Sequence, residues 1–230
     1  MHMSRCKLGG FARSAGSAPL IRAWIFSRSL VHLQEKNAMD FLNPNKQTGI
    51  EPGPGKLLIA EPFMADPNFA RAVIIICEHG TEGTVGFSLN RPTEHTLGDL
   101  LPDLQTPLLP VFQGGPVQLD TLHMLHRNPL AFGGTEVAES IYWGGSYEAL
   151  QESVSHNSYQ SLDLRLFVGY SGWGAGQLAK EIEEGSWIVA DVSTELIFET
   201  DPDHLWRRAI ESLGREFAYM VNMPVNPQLN

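Results

Sequence analysis

The strongest signal along the chain is Ala72-Val73-Ile74-Ile75-Ile76-Cys77, a continuous apolar, β-branched run. Such a run marks a strand buried on both faces. Gly80 and Gly83 flank a turn after it, and residues 84–89 read as a second strand, so the pair predicts a hairpin. Asn90-Arg91-Pro92 stops that strand, because proline lacks the donor a ladder needs. Upstream, Lys56-Leu57-Leu58-Ile59-Ala60 predicts a strand closed by Pro62. Downstream, residues 121–126, 135–138, 164–168, 187–190 and 195–198 are strand-like. Residues 96–101 allow one helical turn before Pro102, and residues 147–154 have helical spacing. Residues 177–184 predict a short acidic helix with Leu178 and Ile182 on one face and Gly185 as its stop. A last helix opens at Asp201-Pro202, an N-cap followed by proline at the first helical position. Its buried stripe is Trp206, Ile210 and Leu213, and Gly214 ends it. Short strands and short helices that do not strictly alternate predict an α+β fold in a single domain.

Composition narrows the class. The chain has 230 residues, 43% apolar and 18% charged, which excludes a collagen-like, coiled-coil or wholly disordered protein. Its longest apolar stretch, residues 72–77, is far short of the ~20 residues a membrane-spanning helix needs. The net charge of −10 conceals a split. Residues 1–38 hold six basic residues and one acid, net +5, whereas residues 39–230 hold 10 basic and 25 acidic residues, net −15. A body this acidic argues against a nucleic-acid surface, which depends on clustered Lys and Arg. Residues 1–38 are Arg- and Ser-rich with no acid before Glu35. They read as an upstream extension ahead of a true start at Met39 or as an organelle transit segment, and in either case lie outside the fold. Residues 39–55 read as a leader loop, 56–220 as the domain and 221–230 as a tail. The body contains one cysteine, Cys77, so an intradomain disulfide is impossible and a cytoplasmic location is the default.

Several constellations invite chemistry. Gly172-Trp173-Gly174-Ala175-Gly176, between a strand and a helix, suggests an anion cradle, with Asp191 on the next strand imitating a ribose-binding acid. The dinucleotide fingerprint would need glycine where Gln177 stands, and there is no P-loop lysine; tight packing around Trp173 is the competing use of those glycines. Gly169-Tyr170-Ser171-Gly172-Trp173 resembles a nucleophile elbow with Asp191 or Asp201 and His204 following, but Trp173 occupies the place that requires a small residue. Cys77, Glu78 and His79 end the apolar strand; at i and i+2, Cys77 and His79 would share a face and His79 would help form a thiolate, against the alternative of a core thiol. His123 and His126, three apart, fall on opposite faces of a strand, which disfavours a metal. Asn90 and Arg91, and Gly114 and Gly115, each follow a strand: turn chemistry is one reading, a rim where Arg91 meets an anion or carboxylate the other. The candidate ligand-binding set is therefore Glu78, His79, Asn90, Arg91, Gly114, Gly115, Gly172, Trp173, Gly174 and Gln177, with no catalytic residue, metal ligand or cofactor assigned.

Taken in order, these segments resemble the YqgE/AlgH family. The blocks are Leu57-Leu58-Ile59-Ala60-Glu61-Pro62 with Met64-Ala65-Asp66-Pro67-Asn68-Phe69; residues 73–79 with Gly83-Thr84-Val85-Gly86-Phe87-Ser88-Leu89-Asn90-Arg91-Pro92; Val111-Phe112-Gln113-Gly114-Gly115-Pro116-Val117 with Leu125-His126; residues 169–178 with Glu181-Ile182 and Trp187; and Ile197-Phe198, Leu205-Trp206, Ala209 and Leu213-Gly214. The resemblance implies a mostly bacterial, compact α+β protein with two small, mostly antiparallel sheets. It also carries the label of a transcriptional regulator, without catalytic residues or a cofactor. With no basic recognition helix in an acidic body, regulation is expected through a protein or small-molecule partner rather than DNA contact. The alternative is an enzyme or redox sensor using Cys77 and His79, or an anion or nucleotide site at residues 172–176.

Overall fold

The computed structural model describes residues 45, 48–101, 109–156 and 163–224. The readings of residues 1–38 fall outside them, as do most of 39–47 and the proline-rich 102–108. Among the described residues ten strands run in order: β1 (Lys56–Ala60), β2 (Val73–Gly80), β3 (Gly83–Ser88), β4 (Pro92–Thr96), β5 (Pro110–Gln113), β6 (Val117–His126), β7 (Thr135–Ala138), β8 (Ile141–Trp143), β9 (Leu164–Gly174) and β10 (Trp187–Asp191). The helices are short: α1 (Leu97–Leu100), α2 (Pro129–Phe132), α3 (Tyr147–Ser155), α4 (Gln177–Glu183), α5 (Thr194–Phe198), α6 (Pro202–Ser212) and α7 (Ala218–Val221).

The mixed helix-and-strand class agrees with expectation, but the sheet count does not. One ladder runs β10-β1-β2-β3-β9-β6-β8-β7, and β5, paired with β4, joins it in parallel along β9. The reason is the length of β9. Eleven residues at about 3.3 Å each let its end at Ser171–Gly174 pair with β3 while its first part pairs with β5 on that side and β6 on the other. A strand predicted to stop near residue 168 would have left two sheets; one that continues makes them one.

The apolar run in β2 is explained by burial on both faces. Leu57, Ile59, Val73 and Ile75 pack with Phe87 against Leu205, Trp206, Ala209 and Ile210 of α6. Leu58, Ala60, Ile74 and Ile76 pack on the opposite face with Trp173, Leu178 and Trp187. Burying each such aliphatic side chain contributes roughly 1.5–3 kcal/mol, so neither face tolerates a polar residue. A third cluster, including Val111, Leu150, Val154 and Leu166, lies between α3 and the strands β5 and β9. Helix α6 starts as predicted, with the Asp201 side chain accepting from Asp203 N at 2.9 Å and Pro202 next. The indole of Trp206 donates to the Ala60 carbonyl at 2.9 Å, fixing the helix to β1.

Residues 195–198 are helical, not a strand. The Ser193 hydroxyl accepts from Leu196 N, and that cap overrides the β-propensity of the Leu196-Ile197-Phe198 run. Strands β4, β5 and β8 have no strong pattern and fall outside the strands that the sequence predicts. No helix among the described residues is long and apolar enough to cross a membrane.

Candidate functional site

A cleft of about 550 Å³ opens where the turn of the β2–β3 hairpin meets the end of β9. Its lining includes Glu78, His79, Glu82, Val85, Tyr170 and Gly172. Strand register puts Glu78 opposite Val85, and Val85 opposite Gly172, so these positions share a face. Tyr170, two residues back along β9, lies on the same face and opposite Val117 of β6. Gly172 contributes bare backbone: a Cβ there would stand 3.1 Å from Tyr170 Cε2. The result is a floor of Val85, Val117, Tyr170 and glycine backbone with two carboxylates, Glu78 and Glu82, at its edge. Among the described residues neither carboxylate has an ion pair or a side-chain hydrogen bond.

Of residues 172–176, expected to form one turn, only Ala175 and Gly176 do so. Gly172, Trp173 and Gly174 are ladder residues of β9, opposite Val85, Thr84 and Gly83. The Gly174 N–H donates to Gln177 Oε1 at 3.1 Å. The Gly174 donor of the expected anion cradle therefore already has a partner, and α4 behind it is only seven residues long. Trp173 points away from the cleft floor into the opposite core. Its indole N–H and that of Trp187 both donate to Glu181 Oε2, at 2.9 and 2.8 Å, while Gln177 donates to Oε1 of the same carboxylate at 2.9 Å. Glu181 thus ties α4 to β9 and β10. Two nearby tryptophans in an apolar cluster call for an acceptor, and that requirement was the signal available in the sequence.

Asn90 and Arg91 lie at the other end of the hairpin, roughly 20 Å away by strand rise. Asn90 accepts from Val73 N at 3.0 Å and donates to the Arg71 carbonyl at 2.9 Å. Arg91 donates to the Ala70 carbonyl, and burial lowers its pKa. Both side chains hold the chain before β2 against the chain after β3. Gly114 and Gly115 sit where β3 and β5 meet along β9. The Gly114 carbonyl accepts from Ser88 N at 2.8 Å and from Ser171 Oγ at 2.9 Å, and its N–H donates to Val168 O at 2.9 Å. A Cβ on Gly114 would lie 2.4 Å from Gly169 O, and one on Gly115 2.3 Å from Ser171 N. The expected single site spanning Arg91 and Trp173 does not assemble. Glu78, His79, Gly172 and Trp173 share a cleft, whereas Asn90, Arg91, Gly114 and Gly115 brace the sheet.

Cys77 and His79 do not meet. The register steps between Ile76 and Glu78, a β-bulge that interrupts the alternation. Cys77 faces the core with Ile75, and burial pushes its thiol pKa up. His79 Nδ1 instead lies 2.7 Å from Thr84 Oγ1 on the opposite face. Ser171 is fully buried in a strand, which removes the elbow geometry. His123 packs on Phe87 and Tyr170 and His126 on Phe132 and Tyr142, separate surroundings in keeping with their opposite faces. A second groove, of about 700 Å³, lies along α5 and α6. Several of its charged groups already have partners: Arg208 pairs with Glu211, Glu199 with Arg127, and Asp201 Oδ1 lies 3.5 Å from His204 Nδ1.

Among the described residues, the curled α+β sheet carries one polar-rimmed cleft at the β2–β3 turn and a second groove along α5 and α6. The sequence pattern of the AlgH-like family (DUF179) matches residues 57–218, and the chain belongs to that family. A UPF0301 protein of Chlorobaculum tepidum is 42% identical over 178 residues, covering 77% of this chain and 95% of its own length. One from Cytophaga hutchinsonii is 37% identical, covering 76% and 98%. The solution structure of the AlgH protein from Pseudomonas aeruginosa aligns with a TM-score of 0.59 at 28% identity, over 76% of this chain and 98% of that one. A crystal structure of a Corynebacterium diphtheriae protein has the same fold, with a TM-score of 0.64 at 24% identity over 76% and 94%.

Proposed function

We propose that the chain is a non-enzymatic cytoplasmic binding protein with a regulatory role, engaging a small ligand or a protein partner at the β2–β3/β9 cleft rather than DNA. One observation carries the reading: among the described residues Glu78 and Glu82 line the cleft with no ion pair or side-chain hydrogen bond, while Asn90 and Arg91 are committed to backbone groups. The acidic body, net −15 over residues 39–230, supports the exclusion of direct DNA contact. The enzyme alternative loses its main support, since Cys77 is buried and separated from His79 by the bulge.

A diverse fragment set, screened by amide chemical-shift mapping on the full-length protein, tests the proposal. Shifts concentrated at Val85, Gly172 and Tyr170 are expected. Fragments that bind only elsewhere, or salt-sensitive binding of duplex DNA, would refute it.

A further inference from the structure

We infer that the cleft takes a small organic cation: an ammonium or amidinium group on a flat or apolar body. The inference rests on reading the cleft as the binding site and adds the chemical class. Its volume of about 550 Å³ lies within the range of small-molecule sites, about 300–1,000 Å³. No Lys or Arg lines it, and its fixed charges are Glu78 and Glu82, both exposed. Unlike Glu199 and Glu211 of the groove along α5 and α6, these two have no basic partner among the described residues. The same cleft is lined by the half-buried Tyr170, whose ring lies beside the bare backbone of Gly172, with Val85 and Val117 adjacent. An aromatic ring and a pair of carboxylates lining one cleft attract a cation through the ring's quadrupole as well as through charge. An anion would meet two like charges, and a neutral ring would gain only the floor.

Benzamidine, benzamide and benzoate form a matched cationic, neutral and anionic series for the test, titrated into the full-length protein while the Val85, Gly172 and Tyr170 amides are followed. Benzamidine should bind at these amides roughly three- to fivefold more tightly than benzamide, with benzoate weakest, and its affinity should fall as salt is raised. Glu78→Gln and Glu82→Gln should each weaken benzamidine about threefold, and Tyr170→Leu by a similar factor, with the melting temperature of the Gln variants unchanged. Gly172→Val, which fills the floor, should abolish the response. If benzamide or benzoate binds these amides as tightly as benzamidine, the cation assignment is wrong although the cleft remains the site. If benzamidine moves none of them while other fragments do, the cation assignment alone falls. If no fragment of any charge moves them, the cleft itself is not the site.

Discussion

The two ends of the β2–β3 hairpin are built from similar residues and do opposite things. At the Asn90–Arg91 end the polar side chains reach backbone groups of a neighbouring segment: Asn90 holds Val73 and Arg71, and Arg91 holds Ala70. At the turn end Glu78 and Glu82 line a cleft with no basic partner among the described residues. A polar residue already engaged by the backbone is part of the scaffold, however suggestive its identity. A polar residue on a concave surface with no internal partner is available to a ligand. Arg91 looked the more functional in sequence and is the more structural in the fold.

The largest expected effect lies in the scaffold beside the cleft. Glu181→Ala leaves the indole N–H groups of Trp173 and Trp187 without an acceptor, which should cost about 3 kcal/mol or more. Glu181→Gln keeps an acceptor and should recover much of that loss in urea unfolding; equal destabilisation by both would mean charge, not hydrogen bonding, is what matters. Asn90→Ala removes two bonds to the backbone and should cost about 2 kcal/mol. A neutral result there would erase the contrast between the hairpin ends.

A smaller effect concerns His126. It is fully buried, its Nε2 lies 3.0 Å from the Gly144 carbonyl, and its Nδ1 has no partner. Burial lowers its pKa in the folded state below the ordinary histidine value, although the bond to Gly144 opposes this. The unfolded chain therefore binds the proton more readily, so stability is complete above about pH 6.5 and declines as pH falls below it. His123, also lowered by burial, acts in the same direction. His126→Phe should flatten the slope of unfolding free energy below pH 6.5, and an unchanged slope would assign it to other groups.

The smallest effects belong to the cleft rim. Glu78→Gln and Glu82→Gln should each change stability by less than about 0.5 kcal/mol, since neither holds an internal partner. A marked loss from either would place that carboxylate in the scaffold. Cys77 should react with a thiol reagent only through opening of the fold in a Cys6→Ser background, because the thiol is buried with a raised pKa. Rapid labelling of the native protein would restore it as a candidate nucleophile.

Much of the fold was legible because it rests on local rules. The unbroken run in β2 announced a strand buried twice, Gly80 and Gly83 announced its hairpin, and Asp201-Pro202 announced α6. The misreadings share a cause in distant partners. Gly172 and Gly174 look like a loop until β3 pairs with them, and residues 195–198 look like a strand until the Ser193 cap is formed. One extra residue at Cys77 was enough to separate it from His79, since strand alternation has a period of two and a bulge shifts its phase. Of the candidate site, Glu78, His79 and Gly172 were legible, while Tyr170, Glu82 and Val117 were not. Their place depends on which strands lie side by side.

The sequence alone determined the class of fold, the acidic character of the body and the family, because hydrophobic pattern, charge and ordered motifs are properties of the chain itself. Tertiary structure alone decided which polar residues are free. Whether Arg91, Glu181 or Glu78 has a partner depends on residues brought near by folding, and no spacing along the chain records that.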